Sequence, residues 1–275
     1  MMQKKRVKKN ILVGIIVLLV MPFVFADHGT EAASWSKSSW FYWSPFIVII
    51  AAAMLAHYYE AHGKNKKELE SIKKILFILI ILVTVFVTAV IFYETVHSNI
   101  NSWTHGPVHW HADFEVWKCD KKLDMIDPKG FANKVGTPVF HEHNDDRIHV
   151  EGDVMHPEDI SMTSFFSVIG GKIDATSLTY PTIYGSVEMR EGMLCNGKPA
   201  QLQVFVYKIS NPHNTKKWIM SQEKVADIEE YLLSPYTNVP PGDCIIIELE
   251  EEKEKTERIC ESYEIAMKKG EIQWQ

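Results

Sequence analysis

Two short stretches carry the residues best suited to chemistry. The first is His109-Trp110-His111-Ala112-Asp113-Phe114-Glu115-Val116-Trp117, and the second runs from His141-Glu142-His143 through Asn144-Asp145-Asp146-Arg147 to Ile148-His149-Val150-Glu151. Of the twelve histidines in the chain, seven fall between His105 and His156. Such clustering turns individually weak His-x-His pairs into a candidate site. Imidazole suits borderline divalent ions, and carboxylates complete such shells or orient the ligating rings. The candidate ligands are His109, His111, His141, His143 and His149, with Glu151 and Asp113 as first- or outer-shell carboxylates. The implied ion is zinc or copper(II), since no thiolate or methionine-rich set argues for copper(I).

Strand geometry must bring these residues together. Side chains alternate faces along a strand, so the first stretch puts Trp110, Ala112, Phe114 and Val116 on one face. His109, His111, Asp113, Glu115 and Trp117 take the other. The second stretch reads as a hairpin with Asn144-Asp145-Asp146 as turn chemistry. A two-residue loop at Asp145-Asp146 would split the histidines between faces. A three-residue loop, Asp145-Asp146-Arg147, pairs His143 with His149 and His141 with Glu151, and it is the favoured register. It also gathers Phe140, Ile148 and Val150 on the opposite side, at the cost of placing Glu142 there.

Three functions are compatible with this pattern. One is divalent metal binding. A second is a metal-dependent enzyme, with three histidines, an open position, and Glu142, Glu151 or Asp113 as general base. A third is a pH-sensitive interaction surface without metal. No separate nucleophile, phosphate loop or oxyanion motif distinguishes catalyst from carrier.

The 275 residues average two unlike parts. Residues 1–26 have a basic start (Lys4, Lys5, Arg6, Lys8, Lys9), an apolar stretch and Val24-Phe25-Ala26, the pattern of a signal peptide; a short uncleaved anchor is the alternative. Residues 27–44 form an aromatic-rich segment with Trp35, Trp40, Phe41, Tyr42 and Trp43, read as an interfacial belt outside the cytoplasm. Residues 45–61 read as a transmembrane helix, 62–74 as a lysine-rich cytoplasmic loop and 75–94 as a second transmembrane helix. The positive-inside rule then puts residues 95–275 outside the cytoplasm, which makes the lipid bilayer a partner and a membrane protein a possible second one. A net charge of −6 gives no reason to expect nucleic acid.

All four cysteines (Cys119, Cys195, Cys244, Cys260) lie in this last segment, as expected for disulfides in an oxidising compartment. Three connectivities are open. The preferred one joins Cys244 to Cys260 and Cys119 to Cys195.

The external segment reads as α+β around a mainly antiparallel sheet, with a β-grasp-like arrangement as one candidate and a charged helix over Glu250–Lys269. Its other expected strands are Leu202–Tyr207 and Cys244–Leu249, with a helix following His156-Pro157. The two histidine stretches, read as His-x-His-Ala-Asp-Phe and His-Glu-His to Ile-His-Val-Glu-Gly152, resemble uncharacterised exported or membrane-anchored archaeal proteins. That resemblance treats the histidines as one unit and implies no activity.

Overall fold

The computed structural model of the chain describes residues 35–62, 66–128, 133–214, 217–235 and 242–275. The expected signal segment, and residues 27–34 of the aromatic segment, lie outside the described residues. The chain divides between Thr95 and Val96 into two units.

The first unit contains helix α1 (Trp35–His62) and most of helix α2 (Lys66–Asn101). Two expectations are corrected here. The aromatic segment is not separate from the helix that follows it, because α1 already begins at Trp35. The expected loop 62–74 is helical from Lys66 onward, since lysine, glutamate and leucine in that stretch are good helix formers and the charged side chains are compatible with an exposed helix. Glu60 and Lys73 pair across the two helices at 3.0 Å. Leu69–Asn101 is long and apolar enough to cross a membrane, whereas Ile47–His62 is a shorter apolar helix.

The second unit is α+β with mostly antiparallel sheets. Its strands are β1 (Val108–Lys118), β2 (Lys121–Leu123), β3 (Val135–Gly136), β4 (Phe140–Glu142), β5 (Arg147–Gly152), β6 (Lys172–Asp174), β7 (Ser177–Thr182), β8 (Gly185–Arg190), β9 (Leu194–Cys195), β10 (Lys198–Pro199), β11 (Gln201–Ile209), β12 (Trp218–Lys224), β13 (Cys244–Glu250) and β14 (Ile272–Trp274). A short 3-10 turn (Pro157–Ile160) precedes helix α3 (Met162–Val168), and helix α4 (Glu261–Lys268) precedes β14. The large sheet has the order β14-β12-β11-β13-β1-β5-β4-β3, with β2 beside β1. The β1–β13 and β12–β14 pairs are parallel and the remaining pairs antiparallel. Strands β6, β7 and β8 form a separate small sheet.

Alternation decides the two faces of the large sheet. Trp110, Ala112, Phe114, Val116, Phe140, Ile148, Val150, Ile245 and Ile247 point into the main core. There they meet Phe165 and Phe166 of α3 and Leu178, Tyr180 and Met189 of the small sheet. On the reverse face, Phe205, Tyr207, Cys244 and Ile246 pack under Tyr263 and Ala266 of α4. Helix α4 therefore covers β11 and β13 on this face, and the histidine-bearing residues of β1 and β5 lie beside it.

The expected helix over Glu250–Lys269 is shorter than its charge pattern implied. Residues 251–260 are an irregular strap, and only Glu261–Lys268 is helical. Two glutamines of the sheet hold the strap's backbone, and the strap's own arginine ties it to the turn after β1. Gln203 accepts from the Lys253 amide at 2.9 Å, Gln222 accepts from the Thr256 amide at 3.1 Å, and Arg258 donates to the Cys119 carbonyl at 2.9 Å. These bonds replace the helical ladder. The strap ends at the Cys244–Cys260 disulfide, and the second disulfide is Cys119–Cys195.

Candidate metal centre

The hairpin register differs from the favoured one. Phe140 pairs with Val150 and His141 with His149, so the register is displaced by two residues from the three-residue-loop arrangement. Residues 143–146 form the connection, with Asn144 at φ 66° and Asp146 at φ 55°. The left-handed conformation is one that Asn and Asp tolerate. The Glu142 carboxylate accepts from the Asp145 amide at 2.6 Å and closes the turn. Because the displacement is an even number of residues, the faces are preserved.

Strand β5 lies between β4 and β1, with His149 opposite both His141 and His111, and Glu151 opposite His109. The imidazoles of four strand residues thus project from one surface, and His143 joins them from the connection. Adjacent rings touch along the series: His109–His111 at 4.5 Å between centroids, His111–His149 at 4.7 Å, His149–His143 at 4.8 Å and His143–His141 at 4.7 Å. His141 and His149 are parallel, 5.5 Å apart.

Two three-residue groups have ligand atoms within 4.8 Å of one another and can hold a metal ion. One is His141, His143 and His149; the other is His109, His111 and His149. In the first, Nε2 of His141 and Nε2 of His143 are 3.1 Å apart. The Nδ1 of His143 is hydrogen-bonded to the Asn133 carbonyl. A carbonyl can only accept, so Nδ1 carries the proton and Nε2 keeps its lone pair. This is the outer contact that typically orients a ligating histidine.

Burial favours the neutral form of two of the rings, His141 and His111. His141 is fully buried, and burial lowers its pKa to about 4, helped by Lys134 and the neighbouring histidines and opposed by Glu151. His111 is likewise lowered to about 4, first by burial and then by His149, His109 and Arg147. A neutral ring is the ligating form.

The expected carboxylates separate in role. Glu151 lies in the cluster, with Oε1 3.3 Å from His109 Nε2 and Oε2 3.8 Å from His141 Nε2. Asp113 shares the face but belongs to neither histidine group. It pairs with Arg147 at 2.7 Å and accepts from the Ser262 hydroxyl, and burial raises its pKa against both contacts. Glu142 does not serve the site. It is fully buried and points to the core side, where burial raises its pKa; its neighbour His141 takes the histidine face. A general-base role for Glu142 is therefore excluded by strand parity.

Three contributors were not legible as site residues. Asn133 acts through a backbone carbonyl, which no side-chain pattern reveals. Asp145 read only as a turn residue, but its Oδ2 lies 3.4 Å from His149 Nε2. Burial alone would raise its pKa, yet His149, Arg147 and His143 carry it below the usual range. Gly242, at φ +53°, lies against the His111 carbonyl, where an added Cβ would fall 1.9 Å from the oxygen. Next to it, the Asp243 carbonyl accepts from the Asp113 amide at 2.8 Å. A cleft lined by Asp113, Asp145, Arg147, Glu261 and Ser262 opens between α4 and the hairpin connection.

No family model, no curated protein and no solved structure matches this chain. The functional reading therefore stands on the geometry of these side chains.

Proposed function

We propose that the chain is a membrane-anchored protein whose extracytoplasmic domain binds a divalent ion, zinc or copper(II), through the imidazoles of β1, β4, β5 and the hairpin connection. One observation carries the reading. The proton of His143 is committed to the Asn133 carbonyl, and the free Nε2 lies 3.1 Å from Nε2 of His141, with His149 completing the group. Two nitrogens bound to one tetrahedral zinc at about 2.0–2.1 Å stand roughly 3.3 Å apart, so this spacing suits a shared ion.

The membrane part of the proposal is supported by the Leu69–Asn101 segment and by exposed Phe77, Ile78, Leu82 and Val85 on its surface. Two disulfides and no free cysteine support an oxidising compartment. A second reading, a pH-sensitive polar cluster without metal, accounts for the same 3.1 Å contact as an Nε2–H of His141 donating to His143. A catalytic use of the ion is favoured by one feature, the cleft that reaches the cluster through Asp145.

The test uses the full chain in detergent, stripped with a chelator, reloaded with zinc or copper(II) and dialysed. Elemental mass spectrometry then counts ions in the parent and in a His143→Ala/His149→Ala variant whose circular dichroism is unchanged. At least one ion per parent chain and fewer in the variant is the expected result. A parent that retains none, or equal retention in both, overturns the metal reading.

A further inference from the structure

The cluster offers more ligands than one ion takes. A zinc or copper ion in a tetrahedral protein site uses four ligands. Here five imidazoles and one carboxylate converge: His109, His111, His141, His143, His149 and Glu151. They are not an undivided set. His109 and His111 belong to one group, His141 and His143 to the other, and only His149 is common to both. The sheet order explains the division. Strand β5 is central, β1 flanks one edge and β4 the other, so the two pairs lie on opposite sides of His149.

The carboxylate divides in the same way. Oε1 of Glu151 faces His109 Nε2 at 3.3 Å, and Oε2 faces His141 Nε2 at 3.8 Å. Each oxygen thus addresses a different histidine pair. A carboxylate that presents one oxygen to each of two ligand sets has the geometry of a bridge, and paired ions in proteins sit about 3.5–4 Å apart under such bridges. Two dications at that separation repel, and negative charge beside them offsets the repulsion. Glu151 supplies one such charge, and Asp145, beside His149 at 3.4 Å, supplies another. Of the nearby cations, Arg147 is engaged by Asp113 at 2.7 Å, and Lys134 acts on the His141 side of the cluster.

We propose that the cluster is a two-ion site, with one divalent ion held by the His109–His111 pair, a second by the His141–His143 pair, and Glu151 bridging between them beside His149. This inference rests on the metal reading of the cluster.

The experiment counts ions per full-length chain in detergent, titrated with copper(II) and freed of loosely held metal by dialysis. A variant with all five imidazoles replaced by alanine supplies the background from the other histidines. The parent is expected to hold two ions above that background. His109→Ala is expected to hold one, and its fold is not at risk because the His109 side chain is 61% exposed. Glu151→Gln, which keeps the side-chain shape, is also expected to hold one. Electron paramagnetic resonance gives an independent readout. Two copper(II) ions bridged by a carboxylate couple, so the parent's spin count should fall below its copper count, whereas the one-ion variants should give spin equal to copper. One ion in the parent would overturn the two-ion site and leave the metal reading intact. No ion would overturn both. Two uncoupled ions, or two ions that survive Glu151→Gln, would overturn the bridge.

Discussion

Replacing Gly242 by alanine should damage the fold and one side of the histidine cluster together. The backbone there has φ +53°, and an added Cβ would lie 1.9 Å from the His111 carbonyl oxygen and 3.1 Å from its carbon. Non-bonded carbon and oxygen need about 3 Å or more, so β1 or the Gly242 segment must move by more than about 1 Å. The left-handed conformation costs a residue with a Cβ about 1–2 kcal/mol, and overpacking adds about 1–3 kcal/mol, giving roughly 2–5 kcal/mol in total. In a unit of this size that is a fall in melting temperature on the order of 10 °C. Gly270→Ala is the control, because Gly270 has φ +76° and open space where its Cβ would go. It isolates the conformational cost from the clash. Thermal unfolding of the full chain, followed by near-ultraviolet circular dichroism, measures both variants. Metal retention gives the second reading, because His111 carries the displaced carbonyl and ligand positions tolerate shifts of only about 0.2 Å. Gly242→Ala should retain fewer ions than the parent, and Gly270→Ala the same number. If Gly242→Ala costs no more than Gly270→Ala and keeps all its metal, the close packing of this loop on β1 is wrong.

Two further outcomes follow from the burial of His141 and from the disulfides. The metal-free protein should lose stability on acidification, because the unfolded chain takes up a proton at the usual histidine pKa of 6.5 while folded His141 resists until about 4. The contribution is complete above pH 6.5, is lost as pH falls towards 4, and amounts to at most roughly 3 kcal/mol. Denaturant titrations across that range should show the parent losing more than His141→Gln, and equal losses would refute the assignment. Separately, replacing Cys119 and Cys195 by alanine opens a loop of 76 residues, and replacing Cys244 and Cys260 opens one of 16. Loop entropy assigns about 4–5 kcal/mol to the first and about 3 kcal/mol to the second. Unfolding midpoints in the reverse order would show that strain or packing, rather than loop length, governs these bonds.

Much of the site was legible because strand periodicity is a local property. A period of two places His109, His111 and Asp113 on one face and Trp110, Ala112 and Phe114 on the other, whatever else the chain does. The same rule kept the hairpin's faces correct even though its register was displaced by two residues. What periodicity leaves open is which strands lie side by side. That β5 sits between β4 and β1, and so brings His111, His149 and His141 into one row, depends on sheet order, which non-local pairing decides.

The remaining differences have the same origin. Charge patterning favoured a long helix from Glu250, but Gln203 and Gln222 hold residues 251–260 as a strap from distant parts of the chain, and the strap's own Arg258 reaches the Cys119 carbonyl. Asp113 has the right type and face for a ligand, yet Arg147 and Ser262 engage it. Asn133 orients His143 through its backbone, where residue identity carries no signal. The sequence by itself determined which residues are of metal-binding type, which face each takes and which segments are apolar, because these follow from side-chain chemistry and nearest-neighbour geometry. Only the tertiary structure decided that these five imidazoles meet and that Glu151, rather than Asp113, lies among them, because those contacts join residues up to about forty positions apart through hydrogen-bonded strands.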